Sequence, residues 1–212
     1  MTVNKSKIDT FWKSREKIDD ARIATNYRDD GRLEFDVALV RKYHREGGSL
    51  LDLGCGTGTL ARELLQSSSY IKGVDKYPGF LEKCPREDKF EVVESDILHF
   101  VDKNKTYDTI IIFGVVNFIS DLEEVDLYRK CLALLKDDGV LIVKNQCGVK
   151  SEVIVDSYSQ ELGTDYYARY PWFERQLGHL SEHFNTELVD IYPPAMNRWD
   201  NTHFYAFVAR PK

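Results

Sequence analysis

An apolar run that carries one acid and then meets three alternating glycines constrains this chain more than any other stretch. Leu50-Leu51-Asp52-Leu53-Gly54-Cys55-Gly56-Thr57-Gly58 leads into Thr59-Leu60-Ala61-Arg62-Glu63-Leu64-Leu65, whose apolar residues fall at helical spacing. The stretch therefore reads as strand, tight turn, helix. Alternating glycines open backbone conformations closed to other residues and let a ligand approach the main chain, while a helix start presents N–H groups with no intrahelical partner. Such a segment is a ligand-cradling loop. Two acids sharpen that reading: Asp52 stands two residues before the first glycine, and Asp75 closes a second apolar segment, Tyr70-Ile71-Lys72-Gly73-Val74-Asp75. The separation is that expected of a ribose-binding acid, about 20 residues. A dinucleotide fingerprint, Gly-x-Gly-x-x-Gly, would need a glycine at position 59, where Thr59 stands instead.

Asp52 to Gly58 resembles the first motif of the class I S-adenosylmethionine-dependent methyltransferases, an acid, any residue, then Gly-x-Gly-x-Gly, and fills every position of it. Identifiable motifs carry the resemblance over roughly residues 47 to 144. It implies S-adenosyl-L-methionine as cofactor, with Asp52, Gly54, Cys55, Gly56 and Gly58 around its methionine part. Asp75 and the adjoining Lys76 would serve the ribose, Asp96 and Ile97 the adenine, and Phe113 and Gly114 would close the donor site. The resemblance also implies an α/β fold: a doubly wound, Rossmann-like, seven-stranded sheet whose last strand runs antiparallel beside the fifth. An N-terminal helical cover would close over the donor, so that Tyr27 and Arg28 could reach the acceptor.

The rest of the chain fits one domain over residues 1–212, with a helical cap to about residue 46 and a core interrupted by an acceptor-pocket insertion at about 147–185. Ile8, Phe11, Trp12, Ile18 and Ile23 recur at roughly helical spacing, and Leu33, Val37, Val40 and His44 share one helical face before Gly47-Gly48. Phe90-Glu91-Val92-Val93-Glu94 reads as a strand delivering Asp96. Tyr107 to Phe113 is a β-branched run suited to a central parallel strand, and Val140 to Lys144 a fifth strand. Ser120-Asp121-Leu122-Glu123 is a capping box, and it predicts a helix whose buried stripe is Leu122, Val125, Tyr128, Cys131 (or Leu132) and Leu135. Strands near 187–192 and 203–209 finish the chain. Strands alternating with helices specify a doubly wound sheet with right-handed crossovers.

Ligands bind beyond the carboxyl ends of such strands, which places Asn117, Asn145 and Gln146 at the crevice. Methyl transfer from a sulfonium needs an aligned acceptor and exclusion of water, and a base only when the acceptor carries a proton to be removed. Asn145, His183 and His203 are the catalytic candidates, and His179 is a further histidine near them. Tyr166, Arg169, Tyr170, Arg175 and Arg198 are candidates for an acceptor pocket that stacks a ring and pairs an anion; an amphipathic helix packing the same aromatics on the sheet is the other reading of 158–175. Phe113-Gly114-Val115-Val116 stands where exocyclic-amine DNA methyltransferases carry Asn/Asp-Pro-Pro-aromatic, and Asn117 and Lys144-Asn145-Gln146 lack the acids of the metal-dependent catechol enzymes. No metal is expected. A net charge of −6 without a basic stripe points away from nucleic acid, and four scattered cysteines suggest neither zinc nor a disulfide framework. No apolar run reaches bilayer length and no leader is evident, so a cytoplasmic protein acting on a small-molecule acceptor is expected; a protein side chain as acceptor and a non-catalytic donor-binding role remain the alternatives.

Overall fold

The β-branched segments of this sequence have too much apolar surface for a one-sided sheet, and the fold buries them on both faces. The computed structural model describes residues 3–25, 31–103 and 106–212. Five parallel strands form its centre: β1 (Gly48–Leu53), β2 (Ser68–Asp75), β3 (Phe90–Glu94), β4 (Tyr107–Phe113) and β5 (Leu135–Gly148). After a two-stranded hairpin, β6 (Val153–Ser159) and β7 (Thr164–Tyr170), the chain returns as β8 (Phe184–Asp190) and β9 (Thr202–Pro211). The seven-stranded sheet has the order β3-β2-β1-β4-β5-β9-β8, and β9 is antiparallel to both its neighbours. The mixed seven-stranded sheet and its antiparallel last strand agree with the expected architecture.

Strand alternation sorts the side chains onto two faces. Ile110, Ile112, Leu141, Val143 and Phe207 pack in one core with Leu127, Tyr128 and Cys131 of α6 (Asp121–Leu134) and Leu180 of α7 (Phe173–Ser181). Ile111, Ile142, Ala206 and Val208 pack in the other with Leu33, Val37 and Val40 of α3 (Arg32–Tyr43) and Leu60 and Leu64 of α4 (Thr59–Leu64). Each fully buried aliphatic side chain contributes roughly 1.5–3 kcal/mol of transfer free energy. β4 is the hub, with Ile110, Ile111 and Ile112 all at 0% exposure.

Helix α6 starts at the expected capping box: Glu123 N donates to Ser120 Oγ, and Ser120 N donates to Glu123 Oε2. Its buried stripe keeps the expected Tyr128, Cys131 and Leu135 but departs from the expected one in the first turns. Leu122 is 81% exposed, and Glu124, Leu127, Tyr128 and Cys131 face inward, because Glu124 is drawn to a buried arginine described below. The segment 153–170 is a hairpin rather than an amphipathic helix, and its cross-strand pairs include Val153 with Tyr170 and Ser157 with Tyr166. Helix α1 (Lys5–Arg15), capped by the Asn4 side chain, and α2 (Ala21–Ala24), capped by Asp20, lie at the carboxyl end of the sheet. Trp12 meets Phe80 of α5 (Pro78–Leu81) edge-on at 6.0 Å and Phe118 at 5.3 Å, and Phe11 meets Tyr166 at 5.2 Å. Helix α1 thereby joins the sheet to the hairpin. Among the described residues no helix is long and apolar enough to cross a membrane.

Candidate functional site

β1 ends in a turn that only glycine tolerates at two points. Gly54 has φ 86°, and a Cβ there would lie 2.3 Å from Val115 Cγ2; Gly56 has φ 53°, and its Cβ would lie 2.5 Å from Thr25 Cγ2. Both positive φ and close approach exclude other residues. Gly56 N donates to Asp75 Oδ2 at 2.9 Å, and Tyr77 N donates to Asp75 Oδ1 at 3.0 Å, so the acid at the end of β2 holds the loop and the start of α5 together. Leu98 N donates to Asp96 Oδ1 at 2.9 Å in the same manner beyond β3.

These ends open on one cavity of 630 Å³. Asp52, Gly54, Cys55, Gly56, Asp75, Lys76, Asp96, Ile97, Phe113 and Gly114 line it, as do Asn117, Gln146, Tyr166, Tyr170 and Arg198. Gly58 does not; a Cβ there would meet Pro85, Phe90 and Cys84 behind the loop at 2.9–3.1 Å. Tyr27 and Arg28 lie outside the described residues.

Asn145, His183 and His203 are not on the cavity, which corrects the catalytic assignment. Asn145 lies between Lys144 and Gln146, which line the chamber, so its own side chain points to the opposite face; there it exchanges hydrogen bonds with Gln176 at 3.1 and 2.9 Å. His203 lies likewise between the lining residues Thr202 and Phe204 and turns away to Asp190 at 2.8 Å and to the Tyr205 ring. His183 precedes Phe184, which pairs with Pro211 at the end of the sheet remote from the crevice. Arg169 fails for the same reason of parity, since Tyr166 and Tyr170 occupy the cavity face of β7 and Arg169 the other. At 0% exposure it pairs with Glu124 at 2.7 Å, Glu152 at 3.1 Å and Asp121, and Nε donates to Ile119 O. Arg175 bonds Glu152 in the same network, and His179 Nδ1 lies 3.1 Å from Glu124 Oε1. A guanidinium fills the space among these carboxylates where a cation would sit.

Residues that the sequence reading passed over complete the chamber. Lys144, where β5 pairs with the end of β4, donates to Asp36 Oδ2 at 2.6 Å and to Tyr192 Oη at 3.0 Å, and Tyr192 Oη donates to Asp36 Oδ1 at 2.7 Å. Lys144 and Tyr192 line the cavity; Asp36 is fully buried behind them. Arg32 lies over the Phe204 ring at 5.0 Å. A lysine ending the apolar run Val140 to Val143 was the one signal available in the sequence.

The donor end is acidic. Burial, with Asp75 nearby, pushes the Asp52 carboxyl up to about 8, and no hydrogen bond from a described residue reaches it. Burial also raises Asp75, against the opposing hydrogen bonds from the Tyr77 and Gly56 backbone. A buried carboxylate of this kind is satisfied by a cationic ligand group. The glycine loop, the two acids beyond it and Asp52 therefore fit a donor with an ammonium, a ribose and an adenine.

Residues 50–139 match a family model described as a methyltransferase domain. The carboxy-S-adenosyl-L-methionine synthase of Desulfotalea psychrophila is 27% identical over 159 residues, which span 69% of this chain and 60% of that protein. A putative methyltransferase of a Geobacillus strain is 27% identical over 82% of this chain and 74% of its own length. Among solved structures, the phosphoethanolamine N-methyltransferase 1 of Haemonchus contortus, in complex with phosphoethanolamine and S-adenosylhomocysteine, shares the fold with a TM-score of 0.76. It is 16% identical and covers all of this chain and 50% of that one. With this glycine motif and strand order, residues 50–139 match a methyltransferase domain, and the chain shares the fold of solved methyltransferases bound to S-adenosylhomocysteine.

Proposed function

We propose that the chain transfers a methyl group from S-adenosylmethionine to a small polar or anionic metabolite held in the same cavity. The observation that carries this reading is the chamber itself. Its 630 Å³ lies in the range of small-molecule sites, about 300–1,000 Å³. One side is formed by the acids at the ends of β1, β2 and β3, and the other by Tyr166, Tyr170, Tyr192 and Phe204. Asp75 and Asp96 would hold the ribose and adenine, and Asp52 the ammonium of the methionine part. When bound, the donor supplies an electrophilic methyl group. The chain's own contribution is to orient the two partners, and the α1 and hairpin cover excludes water from between them.

The test is formation of S-adenosylhomocysteine across a panel of sugars, nucleotide sugars, carboxylates, phosphate esters, amines and peptides. We expect turnover with a small molecule. Turnover with peptides or proteins alone would favour a side-chain methyltransferase, and donor binding with no turnover would favour a sensor. Asp75→Ala should weaken donor binding by one or two charged hydrogen bonds, each worth ~1.5–3 kcal/mol. Calorimetry showing unchanged affinity would refute the ribose role.

A further inference from the structure

Asn117 is a buried amide with one polar atom left over. It lies in the 3-10 turn Val116–Phe118 that follows β4, at 5% exposure, and its chain neighbours are packed on both sides. Val115 packs on Gly54 of the donor loop, and the Phe118 ring meets Trp12 at 5.3 Å and Tyr166 at 6.4 Å. Asn117 Nδ2 donates to Gln146 O of β5 at 2.8 Å and to Arg169 O of β7 at 2.9 Å. Both partners are carbonyls, which only accept, so the amide has one orientation, with its nitrogen toward the two strands. Oδ1 hydrogen-bonds to no described residue and is not sealed in the interior, so it opens on the cavity that Asn117 lines. An acceptor atom on so buried a side chain is unfavourable until a donor reaches it. It stands where the donor loop meets the aromatic wall of the acceptor side.

Resting on the methyl-transfer reading, we infer that Asn117 Oδ1 accepts a hydrogen bond from the reacting group of the acceptor, and that this group is a neutral amine with at least one N–H. The class follows from what an amide oxygen can do. It accepts a hydrogen bond but is far too weak a base to take a proton. A neutral amine gives up no proton in the step. Its lone pair forms a bond to the methyl carbon as the carbon–sulfur bond breaks, with the electron pair of that bond passing to sulfur. An amine and a sulfonium become a methylated ammonium and a thioether, and the proton stays on nitrogen until the product reaches water. The bond to Oδ1 strengthens as positive charge develops on that nitrogen, which is where a hydrogen bond accelerates the step. An alcohol in the same place would become an oxonium whose proton Oδ1 could not receive. A carboxylate or phosphate oxygen would bring no hydrogen and would meet Oδ1 as one negative dipole meets another. The Tyr166 and Tyr170 hydroxyls do not supply a base, because burial holds both above the usual phenol range. Burial in a chamber with aromatic walls also favours the neutral amine over its ammonium.

The test uses S-adenosylmethionine with an isotopically labelled methyl group and matched acceptors: benzylamine with benzyl alcohol and benzoate, glucosamine with glucose and glucuronate, aniline with phenol. Nuclear magnetic resonance of the product distinguishes N-methyl from O-methyl. Transfer to nitrogen of at least one amine, and to none of its oxygen counterparts, is expected, with kcat/KM rising with pH as the free amine becomes neutral. That amine is then compared with its N,N-dimethyl homologue, which keeps the lone pair and lacks the hydrogen. The wild type should prefer the N–H acceptor by roughly tenfold or more, the effect of one hydrogen bond to a charged group. Asn117→Ala should lose most of that preference while binding S-adenosylhomocysteine within about twofold of the wild type. A residue that only tied β5 to β7 would slow both acceptors alike. Should Asn117→Ala not fold, Asn117→Ser, whose hydroxyl can donate to one of the two carbonyls, is the second arm with the same expected loss. O-methyl products alone, or a preference unchanged in the folded variant, would overturn the inference and leave the methyl-transfer reading standing. Donor binding with no transfer to any probe would overturn both.

Discussion

Asp52 shows how one buried side chain can couple ligand binding to pH. Its carboxyl, pushed up to about 8 by burial, is largely protonated at neutral pH in the unliganded protein. An ammonium placed beside it would favour the anion and pull that value down. Donor binding near pH 7 should therefore release up to about one proton, and affinity should rise as pH rises from about 6 toward 7.5. Calorimetry in buffers of different ionisation enthalpy measures the release directly; binding enthalpy that does not change with the buffer would refute it. Without ligand the sign is opposite in stability. A carboxyl raised in the folded state binds its proton more tightly than in the unfolded chain, so its contribution falls as pH rises from about 4 toward 8. Asp52→Asn should remove both effects while keeping the shape of the site.

At the level of elements, the buried ion network fastens the hairpin to the two helices behind it. Arg169 of β7 reaches Glu124 and Asp121 of α6, and Glu152, just before β6, also bonds Arg175 of α7. Arg169→Met would leave Glu124, itself fully buried, without its principal cation. Breaking a buried pair from one side costs ~3–5 kcal/mol. Urea denaturation should show a loss of that size, and adding Glu124→Gln should restore part of it. A single variant as stable as the wild type would contradict this account. His179 adds a pH dependence to the same network, because the hydrogen bond to Glu124 raises its pKa against the lowering effect of burial. A raised histidine contributes fully below its unfolded value near 6.5, and the contribution is lost as pH rises through the folded value. His179→Gln should flatten the stability profile over that window.

For the whole molecule, α1 packs apart from the two main cores of the sheet. Neither of the two main core clusters contains a residue of α1; Trp12 packs with Ala24, Tyr77 and Phe80 in a third, small one. Asp9 receives hydrogen bonds from Lys76 and from Tyr77 Oη at 2.9 and 3.0 Å, and Glu16 Oε1 accepts from Gly79 N at 2.8 Å, so α1 sits on the donor side of the cavity. Deleting residues 1–17 should leave one cooperative unfolding transition but weaken donor binding by roughly tenfold or more, because water then reaches groups that α1 covers. Circular dichroism with donor calorimetry decides the matter. Loss of the cooperative transition, or undiminished affinity, would show that the cover and the sheet are not divided in this way.

By itself the sequence determined what is local: the glycine turn between β1 and α4, the acids after β1, β2 and β3, the capping box of α6, and the alternation of strands and helices that leaves little choice of sheet. Those features are legible because each depends on a few contiguous residues whose backbone conformation or hydrogen bonding admits few alternatives. The acceptor side depends on which face a strand residue takes and on what the fold brings opposite it. One step along a strand reverses the face, which separates Asn145 from Lys144, His203 from Phe204 and Arg169 from Tyr170. The insertion formed a hairpin because its pairing is cross-strand, a relation that no window of the sequence displays. Asp36, Lys144 and Tyr192 lie 108 and 48 positions apart and become one group only where α3, β5 and the chain after β8 meet. Tertiary structure alone made that decision, since burying the Lys144 ammonium required a carboxylate that only the packing of α3 against the sheet could supply.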